Sequence, residues 1–144
     1  MKVVIDTNVW LSALTSSQGA SHRLVQWLFE QDAHLHCVSI PFVLELEDVF
    51  FRPSNQARLT HFSKDQLHQF VNDICHVSLH QSIYFLWRPL IKDPKDDMVL
   101  ELVVNAQADF LVTYNLKDFK QAEKNFDFRL LTPKQFLELK GVIG

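Results

Sequence analysis

Residues 93–115, DPKDDMVLELVVNAQADFLVTYN, decide the fold class of this chain. Pro94 and the aspartates that follow it are typical of the first turn of a helix, where a missing N–H costs nothing and negative charge is favoured. The residues from Met98 to Val104 are apolar nearly all round, which predicts a helix buried between other elements. Phe110 to Thr113 then predicts a strand of the kind that is buried on both faces.

The same alternation of strand and helix extends over the rest of the chain. Strands are predicted at 3–5, 34–38, 77–79, 110–113 and 128–131. Helices are predicted after Gly19 and Ser21, from the N-cap Ser39 to about Phe51, after the capping box of Ser63 and Gln66, after Pro94, and after Thr132. Residues 114–118 are expected to form a polar turn. Alternating strands and helices predict an α/β fold, a three-layer α/β/α sandwich with a central, mainly parallel, twisted sheet.

Composition indicates one ordinary globular domain covering residues 1–144. The 144 residues are 47% hydrophobic and 22% charged, with a net charge of −3. The negative charge counts mildly against a protein that holds nucleic acid by neutralising phosphates alone. No apolar run suits a transmembrane helix, and Asp6 comes before any stretch that would serve as a signal peptide. A cytoplasmic protein with no membrane partner is expected.

Acidic residues collect at the predicted ends of strands and starts of helices. Asp6 directly follows the first strand, and Asn115 and Asp118 follow the strand that ends at Thr113. Ligands of open α/β sheets bind at the carboxyl ends of the strands, so these residues are expected at one edge. The other candidates are Asp93, Asp96 and Asp97 around the start of the buried helix, and Glu45 and Glu47 on the helix after Pro41.

Each acidic residue alone also has a purely structural explanation. Asp6 could cap a turn, and Asp96 and Asp97 could complement a helix dipole. Glu45 and Glu47 could be solvated helix surface. On a helical wheel they flank opposite edges of the apolar face, so the pattern does not choose between them.

Together the acidic groups favour a metal site. Carboxylates gathered at one edge repel each other, and some would bind protons unless cations were present. Mg²⁺ and Mn²⁺ prefer carboxylate oxygens, and a pair of such ions can activate a water and orient a phosphodiester. A site built only of carboxylates therefore suits metal-dependent phosphodiester hydrolysis.

Four segments in order resemble the PIN-domain family, in the branch of VapC-like ribonucleases that are toxins of bacterial toxin–antitoxin pairs. These segments are MKVVIDTNVWLSAL at 1–14, SIPFVLELEDVFFRP at 39–53, DPKDDMVLELVVNAQADFLVTYNLKDF at 93–119 and RLLTPKQFLEL at 129–139. The resemblance implies that residues 1–144 form a single PIN domain.

The resemblance also assigns site residues by position. It implies that the catalytic and metal-binding acids are Asp6, Glu45, Asp97 and Asp118. It implies that the supporting residues are Thr7, Asn8, Asp93, Asp96, Thr113 and Asn115. Many relatives carry aspartate where this chain has Asn115, which makes Asp118 the natural replacement ligand. Thr113 could hold this turn through its hydroxyl.

The family implies an endoribonuclease that depends on Mg²⁺ or Mn²⁺. It also implies an RNA substrate, a small antitoxin protein that covers the site, and a homodimer. The alternative is a catalytically weakened PIN-like module that binds RNA or protein, which the change at Asn115 favours. An aspartyl phosphatase is disfavoured, because Asn8 stands where such enzymes usually carry a second aspartate.

Several residues near this edge have two possible roles. Tyr114 could stack a base or pack on the protein body, and the basic residues could follow a phosphate backbone or be ordinary surface charges. The basic residues are Lys92, Lys95, Lys117, Lys120, Arg52 and Arg58. The histidines of 34–36 and 76–80 are expected on half-exposed strand faces.

Overall fold

A computed structural model describes residues 1–84 and 94–144 of the chain, with the backbone alone at 94–97. Its strands are β1 (Val3–Ile5), β2 (Cys37–Val38), β3 (Leu79–His80), β4 (Phe110–Val112) and β5 (Arg129–Leu131). Its helices are α1 (Thr7–Thr15), α2 (Ala20–Phe29), α3 (Ile40–Phe51), α4 (Pro53–Gln56), α5 (Lys64–His76), α6 (Pro94–Ala106), α7 (Leu116–Asn125) and α8 (Pro133–Leu139), with a 3₁₀ turn at Ala57–Leu59.

The strands pair in parallel, as predicted. β4 lies between β1 and β5, and β2 pairs with β3. A parallel bridge between Val3 and His36 joins the two sets, and the Val3 amide donates to the Leu35 carbonyl at 2.9 Å. The carboxyl ends of β1, β4 and β5 therefore meet at one edge of an α/β/α sandwich, and the predicted fold class is confirmed.

The short strands lie in a well-buried core. All three residues of β1 are completely buried, which is expected of a central parallel strand covered by helices on both faces. Trp10 of α1 and Phe42 of α3 are also completely buried. Among the described residues no helix has the length and apolar character needed to cross a membrane.

Helix starts that have a capping signal were predicted correctly. Ser39 caps α3 by accepting from the Phe42 amide, with Pro41 in the first turn. Ser63 with Gln66 forms the capping box that begins α5. A second box, Thr132 with Gln135, begins α8. These local signals were readable because cap and helix are neighbours in the chain.

Three helices (α1, α4 and α7) and several strand bounds were not predicted. α1 begins directly after Asp6 although no helix was expected before Gly19, because the Asp6 side chain itself accepts from the Thr7 amide as the N-cap. The polar turn expected at 114–118 is wrong from Leu116 onward. There α7 buries only Phe119 and Ala122, which is too short an apolar stripe to be recognised. The strands expected at 34–38 and 77–79 are confined to Cys37–Val38 and Leu79–His80.

His36 is completely buried, so the expectation of a half-exposed histidine is wrong at this position. Its ring lies edge-on to Trp10 with the centroids 5.2 Å apart, and Nδ1 lies 3.0 Å from the Ser78 hydroxyl. Nε2 is buried and has no hydrogen-bond partner among the residues that the structure describes. Burial lowers the pKa of His36 to about 3, so the ring stays neutral in the folded protein under physiological conditions.

The buried neutral imidazole predicts a loss of stability in mild acid. As pH falls through about 6.5 the unfolded chain gains a proton at His36 and the folded chain does not, until pH approaches 3. Between about pH 7 and pH 5 this residue should lower the free energy of unfolding by about 2 kcal/mol. Urea unfolding at both pH values measures the change.

The matched variants for this test are His36→Leu and His34→Leu. His34→Leu removes an exposed histidine of the neighbouring segment and is the comparison variant. His36→Leu should lose about 2 kcal/mol of the pH dependence of the parent, whatever its stability at neutral pH. An unchanged pH dependence in His36→Leu would show that the folded protein protonates this ring.

Candidate active site

Asp6 stands at the carboxyl end of β1 and is only 3% exposed. Its Oδ1 accepts from the Thr7 amide at 2.7 Å, and its Oδ2 accepts from the Thr113 hydroxyl at 2.8 Å. Thr113 directly follows β4, the neighbouring parallel strand, and is completely buried. Both oxygens of the carboxyl group are thereby held in place by groups from two adjacent strand ends.

The surroundings of Asp6 disfavour its negative charge. Burial raises the pKa of its carboxyl above the ordinary value, and hydrogen bonds from Thr113 and Thr7 oppose this rise. The negative charge of Glu45 raises the pKa further, so the two acidic groups lie close enough to repel each other. Such a pair is stabilised by a cation that takes oxygen ligands.

Glu45 lies on α3, and its negative charge acts on Asp6. Its side chain is 13% exposed, and the Arg52 guanidinium donates to its Oε1 at 3.4 Å. The same guanidinium contacts Oδ2 of Asp48 at 2.5 Å. The negative charge of Glu47 instead adds to the effect of burial in raising the pKa of the Cys75 thiol on α5. Of the two glutamates that the helical wheel left open, Glu45 is the one whose negative charge acts on the pKa of Asp6.

A polar network connects Asp6 with Asp118. The Thr113 hydroxyl donates to Asp6 and accepts from the backbone amide of Asn115 at 2.9 Å. Asn8 Nδ2 also lies 3.3 Å from this hydroxyl. The side-chain amide of Asn115 then donates to Oδ2 of Asp118 at 2.8 Å. Asn115 thus contacts Asp118, which is exposed on the first turn of α7.

The remaining predicted acids belong to the start of α6. Asp96 and Asp97 lie in its first turn, and their side chains are outside the described part of the structure. Asp93 and Lys92 lie outside the described residues altogether. Among the described side chains, no three His, Cys, Asp or Glu residues form a group that could hold a metal ion. Glu45 thus acts electrostatically on Asp6, and within the described part of the chain Asp118 does not complete a metal-binding group with them.

Two features were missed by sequence reasoning, a buried acid on α6 and a contact of Glu45. Glu101 of α6 is completely buried, one helical turn after Asp97. Its signal was a single charged residue inside an otherwise apolar helix. The contact between Arg52 and Glu45 was also missed, and the spacing of seven residues along one helix face was the available signal.

Comparison with known proteins agrees with this arrangement. Residues 2–117 match the PIN domain, and the chain belongs to the PIN-domain family. PIN domains are generally nucleases, and the nucleases of this family generally use divalent metal ions.

Among solved structures, the chain is similar to the crystal structure of VapBC2 from Rickettsia felis bound to a DNA fragment from its own promoter. The match has a TM-score of 0.56 and 16% identity, and covers 90% of this chain and 97% of that chain. At this identity the likeness shows the fold alone. No curated protein matches the chain.

The hydrogen bond between Thr113 and Asp6 leads to a prediction. Thr113→Val removes the only side-chain donor to Oδ2 of Asp6 found in the described residues, and should raise the pKa of Asp6 further. At pH values above the folded-state pKa of Asp6, the free energy of unfolding should fall by about 1–3 kcal/mol, because the buried carboxylate loses one of its hydrogen-bond donors. The deficit should shrink as pH falls through the folded-state pKa of Asp6, where the carboxyl becomes neutral.

Thr113→Ser is the matched control because it keeps the hydroxyl. Carbon NMR titration of the Asp6 carboxyl and urea unfolding at several pH values measure the two effects. If the valine and serine variants titrate alike, the hydroxyl does not set the ionisation of Asp6.

Proposed function

We propose that this protein is a metal-dependent endoribonuclease of the PIN family, the toxin of a toxin–antitoxin pair, formed by a single domain over residues 1–144. It hydrolyses RNA phosphodiesters. The observation that carries the proposal is the buried Asp6 carboxyl, held at the carboxyl edge of a parallel sheet, where burial and the negative charge of Glu45 raise its pKa. Two acids that repel in a buried place are costly to stability unless they bind a cation.

The proposed catalytic and metal-binding residues are Asp6, Glu45, Asp97 and Asp118. The proposed supporting residues are Thr7, Asn8, Asp93, Asp96, Thr113 and Asn115. Carboxylate oxygens are the ligands that Mg²⁺ and Mn²⁺ prefer, so the donor set fits either ion. When bound, the cation supplies Lewis acidity, which makes an attacking water more acidic and offsets the charge of the phosphodiester.

The chain itself fixes the acidic groups in position. The Thr7 amide and the Thr113 hydroxyl orient the two oxygens of Asp6. Arg52 holds Glu45 on α3, and Asn115 contacts Asp118. Groups that orient a metal ligand in this way commonly change metal affinity or activity by about 10- to 100-fold when removed.

RNA binding and partner proteins belong to the same proposal. Lys117, Lys120 and Arg58 are exposed and could neutralise phosphates. The likeness to VapBC2 supports a small antitoxin protein as a partner, and a homodimer is proposed with it. An enzyme that acts on cellular RNA in this way would work in the cytoplasm.

A second candidate function is a PIN-like module that binds RNA or protein with weakened catalysis. The feature in its favour is Asn115, an amide at a position where the resemblance to the PIN family leads us to expect an acid. Its side chain contacts Asp118 and supplies no negative charge of its own.

Cleavage of single-stranded RNA separates the two candidates. The purified protein should cut RNA in Mn²⁺ and lose this activity in EDTA. Asp6→Asn and Asp97→Asn should each reduce the rate by about 100-fold or more, above the effect of losing a residue that only supports a ligand. Asparagine is a good N-cap, so Asp6→Asn should keep α1, and far-ultraviolet circular dichroism checks this.

The matched control is Asp73→Asn, which changes an exposed aspartate of α5 and should cut like the parent. Equal cleavage by the parent and Asp97→Asn would reveal a contaminating nuclease and contradict the proposed site. Absence of cleavage by folded parent on several RNAs would favour the binding module.

A further inference from the structure

Tyr114 occupies the turn between the two halves of the polar network. Thr113 before it contacts Asp6, and Asn115 after it contacts Asp118. The Tyr114 amide donates to Oδ1 of Asn8 at 3.4 Å. Its backbone therefore borders the candidate active site, at the carboxyl end of β4.

The ring of Tyr114 is fixed and still faces solvent. Its hydroxyl lies 2.5 Å from Oγ of Ser21, a residue of α2 that is only 1% exposed. Tyr114 itself is 49% exposed, and it stacks on no other ring in the described part of the chain. A ring anchored at its hydroxyl and its backbone loses little conformational entropy when a ligand binds to its face.

We propose that the Tyr114 ring is a stacking platform for a base of single-stranded RNA, next to the phosphodiester held at the acidic site. This inference rests on the proposed ribonuclease function and deepens it. Base–aromatic stacking is the sequence-tolerant way in which proteins hold single strands, since every base has a flat face. Tyr114 would then set which phosphodiester of the strand reaches Asp6.

Charge near the ring suits the same ligand. α7 begins two residues after Tyr114 and carries the exposed lysines Lys117 and Lys120. An exposed ring followed in the chain by exposed lysines suits single-strand binding, which combines stacking rings with basic residues.

A structural role for the same contact makes a different prediction. If the hydroxyl serves only to attach the turn after β4 to α2, then Tyr114→Phe and Tyr114→Leu should weaken RNA binding to the same extent. If the ring binds a base, Tyr114→Phe should keep RNA binding and Tyr114→Leu should lose it. The hydroxyl and the ring can therefore be separated by two substitutions.

Binding is measured by fluorescence anisotropy with a short fluorescein-labelled single-stranded oligoribonucleotide. All variants carry Asp97→Asn and are studied in Mg²⁺, which keeps the RNA intact. Tyr114→Leu should weaken binding by about fivefold or more, as expected for the loss of one stacked base. Tyr114→Phe should bind with an affinity within about twofold of that of the Asp97→Asn protein.

Tyr84→Leu is the matched control. Tyr84 is the other tyrosine of the chain, is 77% exposed, and contacts Asn105 near the far end of α6. It should bind the oligoribonucleotide like the background protein. In the cleaving protein, Tyr114→Leu should raise KM more than it lowers kcat, because stacking holds substrate and transition state alike.

Equal weakening by Tyr114→Phe and Tyr114→Leu, or no weakening by either, would overturn the stacking proposal while leaving cleavage by the parent intact. A background protein that binds no RNA would overturn it too. Binding that depends on the Tyr114 ring in a protein that never cleaves RNA would support the stacking platform and reject the ribonuclease.

Discussion

The hydrogen bond between the Thr113 hydroxyl and the Asp6 carboxyl is the interaction on which the site depends. It joins the carboxyl ends of two adjacent parallel strands at 2.8 Å, in a place where neither side chain is open to water. A buried carboxyl group without such partners would be strongly destabilising. The sheet register that aligns Ile5 with Val112 brings the next two residues, Asp6 and Thr113, side by side.

The rest of the site follows from this constraint. Asp6 is both the N-cap of α1 and the acceptor for Thr113, so the start of the helix and the alignment of the strands fix the same carboxyl group. α3 then brings Glu45 close enough to act on the pKa of Asp6. Arg52, seven residues later, contacts Glu45 from the end of the same helix. The unfavourable charge at Asp6 is what a divalent cation would relieve.

The sequence predicted those parts of the fold that depend on neighbouring residues. Ser39, the Ser63 and Gln66 pair, and the apolar run of β1 each act locally, and each was interpreted correctly. The parallel sheet followed from the order of elements. α7 and the burial of His36 were missed, because a short stripe on a polar helix and a histidine among aromatic rings depend on tertiary contacts.

At the candidate site, too, some features could be predicted from the sequence and others depend on tertiary contacts. From the sequence alone, the acidic residues could be named and placed at one edge of the predicted sheet. The choice between Glu45 and Glu47 stayed open, because it depends on how α3 is rotated. The family resemblance chose Glu45; in the structure the charge of Glu45 raises the pKa of Asp6, whereas the charge of Glu47 raises the pKa of Cys75. The anchoring of Tyr114 by Ser21 joins residues 93 positions apart, so no local pattern could have predicted it.

The most direct test of the account is crystallographic. Crystals soaked in Mn²⁺ and measured at its absorption edge should show an anomalous peak for an ion bound by the carboxylates of Asp6, Glu45 and Asp97. The same map would show whether Asp118 is also a ligand. A peak at this place would establish that the buried acidic pair is a cation site. No peak there, at a Mn²⁺ concentration that supports RNA cleavage in solution, would contradict the central claim.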